Sequence, residues 1–64
     1  MAFIQLSILE GRTVEQKRAL TKAINDAVVE HAGANPEFIH IVITEYERSN
    51  WARSGVLLSD IPQG

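Results

Sequence analysis

Residues 2–12 read Ala2-Phe3-Ile4-Gln5-Leu6-Ser7-Ile8-Leu9-Glu10-Gly11-Arg12. Up to Leu9 the side chains alternate, with Ile4, Leu6 and Ile8 on one side and Phe3, Gln5, Ser7 and Leu9 on the other. A period of two marks a strand rather than a helix. Glu10-Gly11-Arg12 ends it in a glycine turn. Thr13-Val14-Glu15-Gln16 then has the form of a capping box: the Thr13 hydroxyl can accept from a first-turn amide, and Gln16 can reach back to the amide of Thr13. The spacing predicts a helix from there to about Ala32. Its apolar stripe is Leu20, Ala23, Ile24, Ala27 and Val28, at i, i+3, i+4, i+7 and i+8. Glu15, Arg18, Lys22, Asp26 and Glu30 form a solvated face. Gly33 suits the position after the last helical residue, and Pro36 prevents the helix from continuing. His31, in the last turn, is a favourable partner for the helix dipole.

The pattern returns to a period of two at Ile39–Tyr46, where Ile39, Ile41 and Ile43 alternate with His40, Val42 and Thr44. Strand, long helix and strand in this order make a βαβ unit with parallel strands and a right-handed crossover. Beyond it, the turn formers Ser49-Asn50 and Ser54-Gly55 flank Trp51-Ala52-Arg53, which predicts a short hairpin. The fold class is therefore α/β (α+β), in one domain spanning residues 1–64.

Size and composition narrow the rest. A chain of 64 residues buries only about 60% of its unfolded surface, which leaves it marginally stable unless something supplements its core. With no cysteine, disulfides cannot do so, and the lack fits a reducing, cytoplasmic setting. The two histidines, His31 and His40, have no spacing suited to zinc, so no metal is expected. A net charge of −2 disfavours nucleic acid as a partner. No apolar run approaches the ~20 residues of a membrane span, and no secretory signal is visible. One amphipathic helix covers one face of a two-stranded parallel sheet, whereas such sheets are normally covered on both. Phe3, Leu9, Val42, Tyr46 and Trp51 would otherwise lie beside water, so further copies of the chain are expected to complete the structure.

The strand Phe3–Ile8, the turn Leu9-Glu10-Gly11-Arg12, the helix start Glu15-Gln16-Lys17-Arg18, the strand Ile41-Val42-Ile43-Thr44-Glu45 and the tail Asn50–Gly55 together resemble the 4-oxalocrotonate tautomerase family over nearly the whole chain. The resemblance implies a β-α-β subunit with a C-terminal hairpin, homohexamers built as trimers of dimers, and sites at subunit boundaries. It implies cofactor-independent enol–keto isomerisation of small 2-oxo acids, so the expected partner is a small-molecule carboxylate. It also implies an amino-terminal proline as base, exposed by removal of the initiator Met. Arg12 would bind and polarise the substrate, Trp51 would form an apolar wall, and the amide of Leu9 would hold an ordered water. The chemistry has a physical logic. An α-amine titrates closer to neutrality than a lysine. Burial and a nearby guanidinium favour its uncharged, basic form, and the guanidinium stabilises the enolate that develops.

Two positions depart from that family pattern. Ala2 stands where the resemblance places the proline, and His40 where it places a second arginine. Removal of Met1, which a small second residue such as alanine permits, would still expose an amine at Ala2, but without the rigid ring. His40 cannot make the bidentate fork that a guanidinium makes with a carboxylate; Arg53, two residues past Trp51, is a candidate replacement cation. Taken alone, Arg12 reads as an exposed turn residue, Trp51 equally well as an oligomer contact and His40 as a structural histidine. Two functions follow as expectations. One is a tautomerase-like isomerase with Ala2 and Arg12 as catalytic residues and Leu9, Arg12, His40, Trp51 and Arg53 binding substrate, its activity weakened by the missing proline. The other is a non-catalytic oligomer of the same fold that binds small anions.

Overall fold

A computed structural model describes residues 1–62. Positions 63 and 64 of the expected domain lie outside the described residues. The chain runs through β1 (Ala2–Leu9), α1 (Val14–Ala32), β2 (Ile39–Tyr46), β3 (Ala52–Arg53) and β4 (Val56–Leu57). Both long strands and the helix end within a residue of the positions read from the sequence. Three short 3-10 turns, at Pro36–Phe38, Arg48–Asn50 and Leu58–Asp60, were not anticipated. The first had a local signal: the Asn35 side chain accepts from the Glu37 amide and Pro36 occupies the first position, an arrangement that favours helical starts.

β1 and β2 pair in parallel, with Ala2 opposite Ile39 and Leu9 opposite Tyr46. Exposure alternates along both strands. Ile4, Leu6 and Ile8 of β1 and Ile41 and Ile43 of β2 are half-buried, while Phe3, Gln5, His40 and Val42 are exposed on the other face. The helix lies over the isoleucine face, tied there by an ion pair between Lys17 of α1 and Glu45 of β2. On the open face the Gln5 Nε2 donates to the Thr44 Oγ1 at 2.7 Å, linking the two strands.

The helix begins as its sequence dictates. The Gln16 amide donates to the Thr13 hydroxyl at 3.1 Å and the Thr13 amide to the Gln16 side chain at 2.8 Å, and Gly33 ends the helix in the left-handed conformation. Thr13→Ala removes the hydroxyl half of this box and is expected to cost about 1 kcal/mol of folding free energy. The loss would be read as a lower urea midpoint at unchanged transition slope; an unchanged midpoint would contradict it.

The helix face that meets the sheet differs from the expected stripe. Its half-buried residues are Lys17, Thr21, Ile24, Asn25, Val28 and Val29, whereas Leu20, Ala23 and Ala27 are exposed. Ile24 and Val28 belong to both sets. The helix is thus rotated about its axis relative to the sequence-based expectation, and three of the five stripe residues turn away from their own sheet. A stripe wider than one sheet contact can satisfy is available to a second surface.

No described residue is buried in the isolated protomer, and Phe3 and Val42 remain 66% and 42% exposed. The accessible surface is 4910 Å², against about 4,100 Å² for a compact monomer of this mass. The radius of gyration is 15.0 Å, where a self-contained chain of this length would have about 11 Å. Among the described residues the protomer has one covered sheet face and no enclosed core.

Candidate active site

The β1–α1 turn positions the first candidate. Gly11 has φ +120°, a conformation L-residues with a side chain rarely adopt, and this sharp reversal brings Arg12 back toward the strand it follows. The Arg12 Nη1 donates to the Leu9 carbonyl at 2.7 Å. The Glu10 amide donates to the Tyr46 carbonyl at 2.9 Å, so Glu10 faces β2. By the alternation of a strand, the amide and carbonyl of Leu9 face the opposite, free edge of β1. The Arg12 guanidinium therefore sits at that free edge, beside the Leu9 peptide, with most of its donors turned outward.

Tyr46, in register with Leu9, has no chemical role in the sequence reading, only a surface to be covered by further copies. Its ring meets Trp51 edge-to-face, with centroids 5.9 Å apart and planes at 79°. The Trp51 backbone is fixed on both sides: its carbonyl accepts from the Leu58 amide at 2.8 Å and its amide donates to the Arg48 carbonyl at 3.4 Å. The Arg48 Nη2 donates in turn to the Leu58 carbonyl at 3.3 Å. The Arg48 Nε is buried without a hydrogen-bond partner among the described residues. Sequence reasoning missed both Tyr46 and Arg48. Aromatic content at the end of a strand shortly before Trp51 is the only signal that pointed to Tyr46, and none pointed to Arg48.

Leu9, Arg12, Tyr46 and Trp51 thus share one end of the protomer. Ala2 and His40 share the other. Ala2 is half-buried at the start of β1 opposite Ile39, with Met1 beyond it 94% exposed. His40 lies opposite Phe3 on the open face. β1 runs extended over the eight residues from Ala2 to Leu9, which sets them about 23 Å apart. A small acid cannot touch both ends of one chain. Arg53 pairs with Val56 in the outer rung of the hairpin, next to the Ser54–Gly55 turn. Both turn residues have positive φ, 54° and 78°, the signature of a two-residue hairpin turn that matches strand twist.

None of the expected site residues lines the 550 Å³ groove between α1 and the edge of β2, which is formed by Thr21, Lys22, Asn25, Asp26, Ile39 and Ile41. There the Lys22 side chain hydrogen-bonds Asp26 at 2.6 Å and, with a weaker bond from Asn25, holds its carboxyl below the usual carboxylate range. Among the described residues there is no cluster of three or more potential metal ligands, and no helix is long and apolar enough to cross a membrane.

The chain is thus a small βαβ subunit with an open sheet face, an arginine at a strand edge and an aromatic pair at the same end of the sheet. Residues 3–61 match the Tautomerase family of tautomerase enzymes, and the chain belongs to it. It is 42% identical over 60 residues to a probable tautomerase of Halalkalibacterium halodurans, covering 94% of this chain and 98% of that one. It is 41% identical over 61 residues to the 2-hydroxymuconate tautomerase of Bacillus subtilis, covering 95% and 98%. The crystal structure of YwhB, a homologue of 4-oxalocrotonate tautomerase, superposes with a TM-score of 0.91 at 40% identity, covering 94% and 98% of the two chains. Family and fold thus agree with the resemblance read from the sequence, and by family the chain is an isomerase-type enzyme.

Proposed function

We propose that the chain is a cofactor-independent tautomerase of small unsaturated 2-oxo and 2-hydroxy acids, working in the cytoplasm as a homohexamer of three dimers. The carrying observation is the separation of the two ends: Arg12, Leu9 and Trp51 at one, Ala2 and His40 about 23 Å away at the other. A complete site then needs one end from each of two copies. That the Bacillus subtilis relative is a 2-hydroxymuconate tautomerase supports an unsaturated hydroxy acid as substrate.

In this reading Arg12 binds the carboxylate or the 2-oxygen through charge-assisted hydrogen bonds. The amino-terminal amine exposed by removal of Met1 takes the proton from the 2-hydroxyl. The O–H electron pair becomes the carbonyl π bond, the C=C pair shifts outward, and the protonated amine delivers the proton to the distal carbon. Electrons and protons balance within the substrate, so no cofactor is needed. Trp51 and Leu9 exclude water, which strengthens the guanidinium's hold on the developing enolate. His40 and Arg53 complete the binding of a second polar group.

Arg12→Ala tests the proposal. The variant should bind a dicarboxylate or 2-oxo acid about 1.5–3 kcal/mol more weakly, as for hydrogen bonds to charged groups, with unchanged helix content because the residue lies in a turn. Undiminished affinity in titration calorimetry would reject the assignment. Ala2 favours a second reading, a non-catalytic oligomer that binds small anions through the same Arg12. While Met1 is attached, the nitrogen of Ala2 is an amide and cannot act as a base. Intact mass together with turnover of a 2-hydroxydienoate separates the two.

A further inference from the structure

We infer that Arg48 is a positioning residue of the proposed site: its guanidinium sets where Trp51 stands by closing a ring of hydrogen bonds around the Trp51 peptide. The inference rests on the reading of Trp51 as the apolar wall of that site; the part played by Arg48 comes from its own bonds. The Trp51 amide donates to the Arg48 carbonyl at 3.4 Å, and the Leu58 amide donates to the Trp51 carbonyl at 2.8 Å. The Arg48 Nη2 donates to the Leu58 carbonyl at 3.3 Å and completes the circuit. Only this last bond comes from a side chain, so a substitution can remove it and leave the backbone intact.

The two main-chain bonds hold Trp51 poorly by themselves. The one to the Arg48 carbonyl is long for an N–H donor and follows a short 3-10 turn, Arg48–Asn50. The one from Leu58 extends a hairpin whose strands, Ala52–Arg53 and Val56–Leu57, have two residues each, and an isolated two-stranded hairpin is marginally stable at best. Within its own subunit every residue of that hairpin, 52–57, is exposed, whereas Arg48, Trp51 and Leu58 at its base are half-buried. Arg48 is also held to this contact. Its Nε is shut off from solvent with no hydrogen-bond partner among the described residues, a cost that an arginine free to swing into water does not bear. The acceptor is fixed as well, since the Leu58 carbonyl also accepts from the Ile61 amide at 3.2 Å. A wall held in this way is ordered before a ligand arrives. Without the bond, binding must supply the order itself, and affinity falls.

Trp51 is the single tryptophan of the chain, so its emission reports on its own mobility. In the whole assembly, Arg48→Met keeps the apolar stem and removes the donors. It should lower the anisotropy of Trp51 emission and increase quenching by acrylamide. Affinity for 2-oxoglutarate, a small 2-oxo dicarboxylate, should fall about 2–12-fold, the range one hydrogen bond supplies. Arg48→Lys keeps a charged donor and should recover part of both losses. In a Trp51→Leu background Arg48→Met should cost no further affinity, because the two residues act as one unit. A lost charge, or a general loosening of the subunit, would instead weaken the ligand equally in both backgrounds.

Parent-like anisotropy and affinity in Arg48→Met would overturn the inference, as would an equal loss with and without Trp51. Should Arg48→Met not assemble, the parent decides. A held guanidinium gives distinct Nη resonances by NMR, and a single averaged resonance for Arg48 would overturn the inference with no variant needed. Failure of the underlying site reading looks different: Trp51→Leu would then bind 2-oxoglutarate as tightly as the parent, whereas Arg48→Met would still free the indole.

Discussion

Ala2→Pro, with Met1 removed, is expected to raise kcat for ketonisation of a 2-hydroxydienoate or an arylpyruvate enol by about 10²-fold, the scale of rate lost when a reacting group is misplaced by about an ångström. Two effects combine. A retained Met1 converts the nitrogen of Ala2 into an amide and moves the free amine one residue outward, up to ~3.6 Å along the chain. A trimmed chain keeps the amine at Ala2 but lacks the pyrrolidine ring that fixes its direction. The gain should fall mainly on kcat, because a proton shuttle acts in the transition state and not in binding. Mass spectrometry of each sample separates trimming from ring closure. A parent already fast, with Ala2→Pro making no difference, would show that the base is not the amino-terminal amine.

The second large effect concerns assembly. A protomer with no buried described residue, a surface of 4910 Å² and an open face presenting Phe3 and Val42 should not persist alone. Sedimentation at micromolar concentration should give a species several times the 7.1 kDa protomer, and its unfolding temperature should rise with protein concentration, as it does when association and folding are linked. Val42→Glu places a charge in the middle of the open face. Each large apolar side chain buried in an interface contributes about 1.5–3 kcal/mol, and burying an unpaired carboxylate costs more. The variant should therefore lose both assembly and helix signal at concentrations where the parent is folded. A folded, monomeric parent would reject the argument.

The strands were legible because their alternation is strict and their ends carry clear signals: Gly11 after Leu9, and Thr13 with Gln16 at the helix start. The helix was legible as an element but not in its rotation. Leu20, Ala23 and Ala27 count toward an apolar stripe in sequence, yet a sequence does not say which part of a wide stripe meets its own sheet. In three dimensions Lys17 lies on the sheet-facing side and pairs with Glu45, twenty-eight residues away, a contact with no local signal. Arg12 was legible as the residue after the glycine turn, though its bond to the Leu9 carbonyl was not. Tyr46 was not, because its significance comes from register with Leu9 and from the path of the chain back to Trp51. The register is a long-range fact with no local signature, and the short path back to Trp51 left only an aromatic residue at the strand end as its signal. Arg48 escaped because its guanidinium reaches the Leu58 carbonyl ten residues on, a contact with no spacing that sequence can show.

The extended run of β1 places the amine end and the arginine end of each subunit at opposite poles. On the reading proposed above, ownership of a site is then divided. A chain that loses Arg12 keeps its own amino-terminal amine in order but spoils the pocket of whichever neighbour it faces. Two chains, each crippled at a different pole, would form some intact pockets wherever the sound poles meet. Genetic dominance in such a protein would follow adjacency rather than copy number. A lesion's severity would depend on who sits next to it.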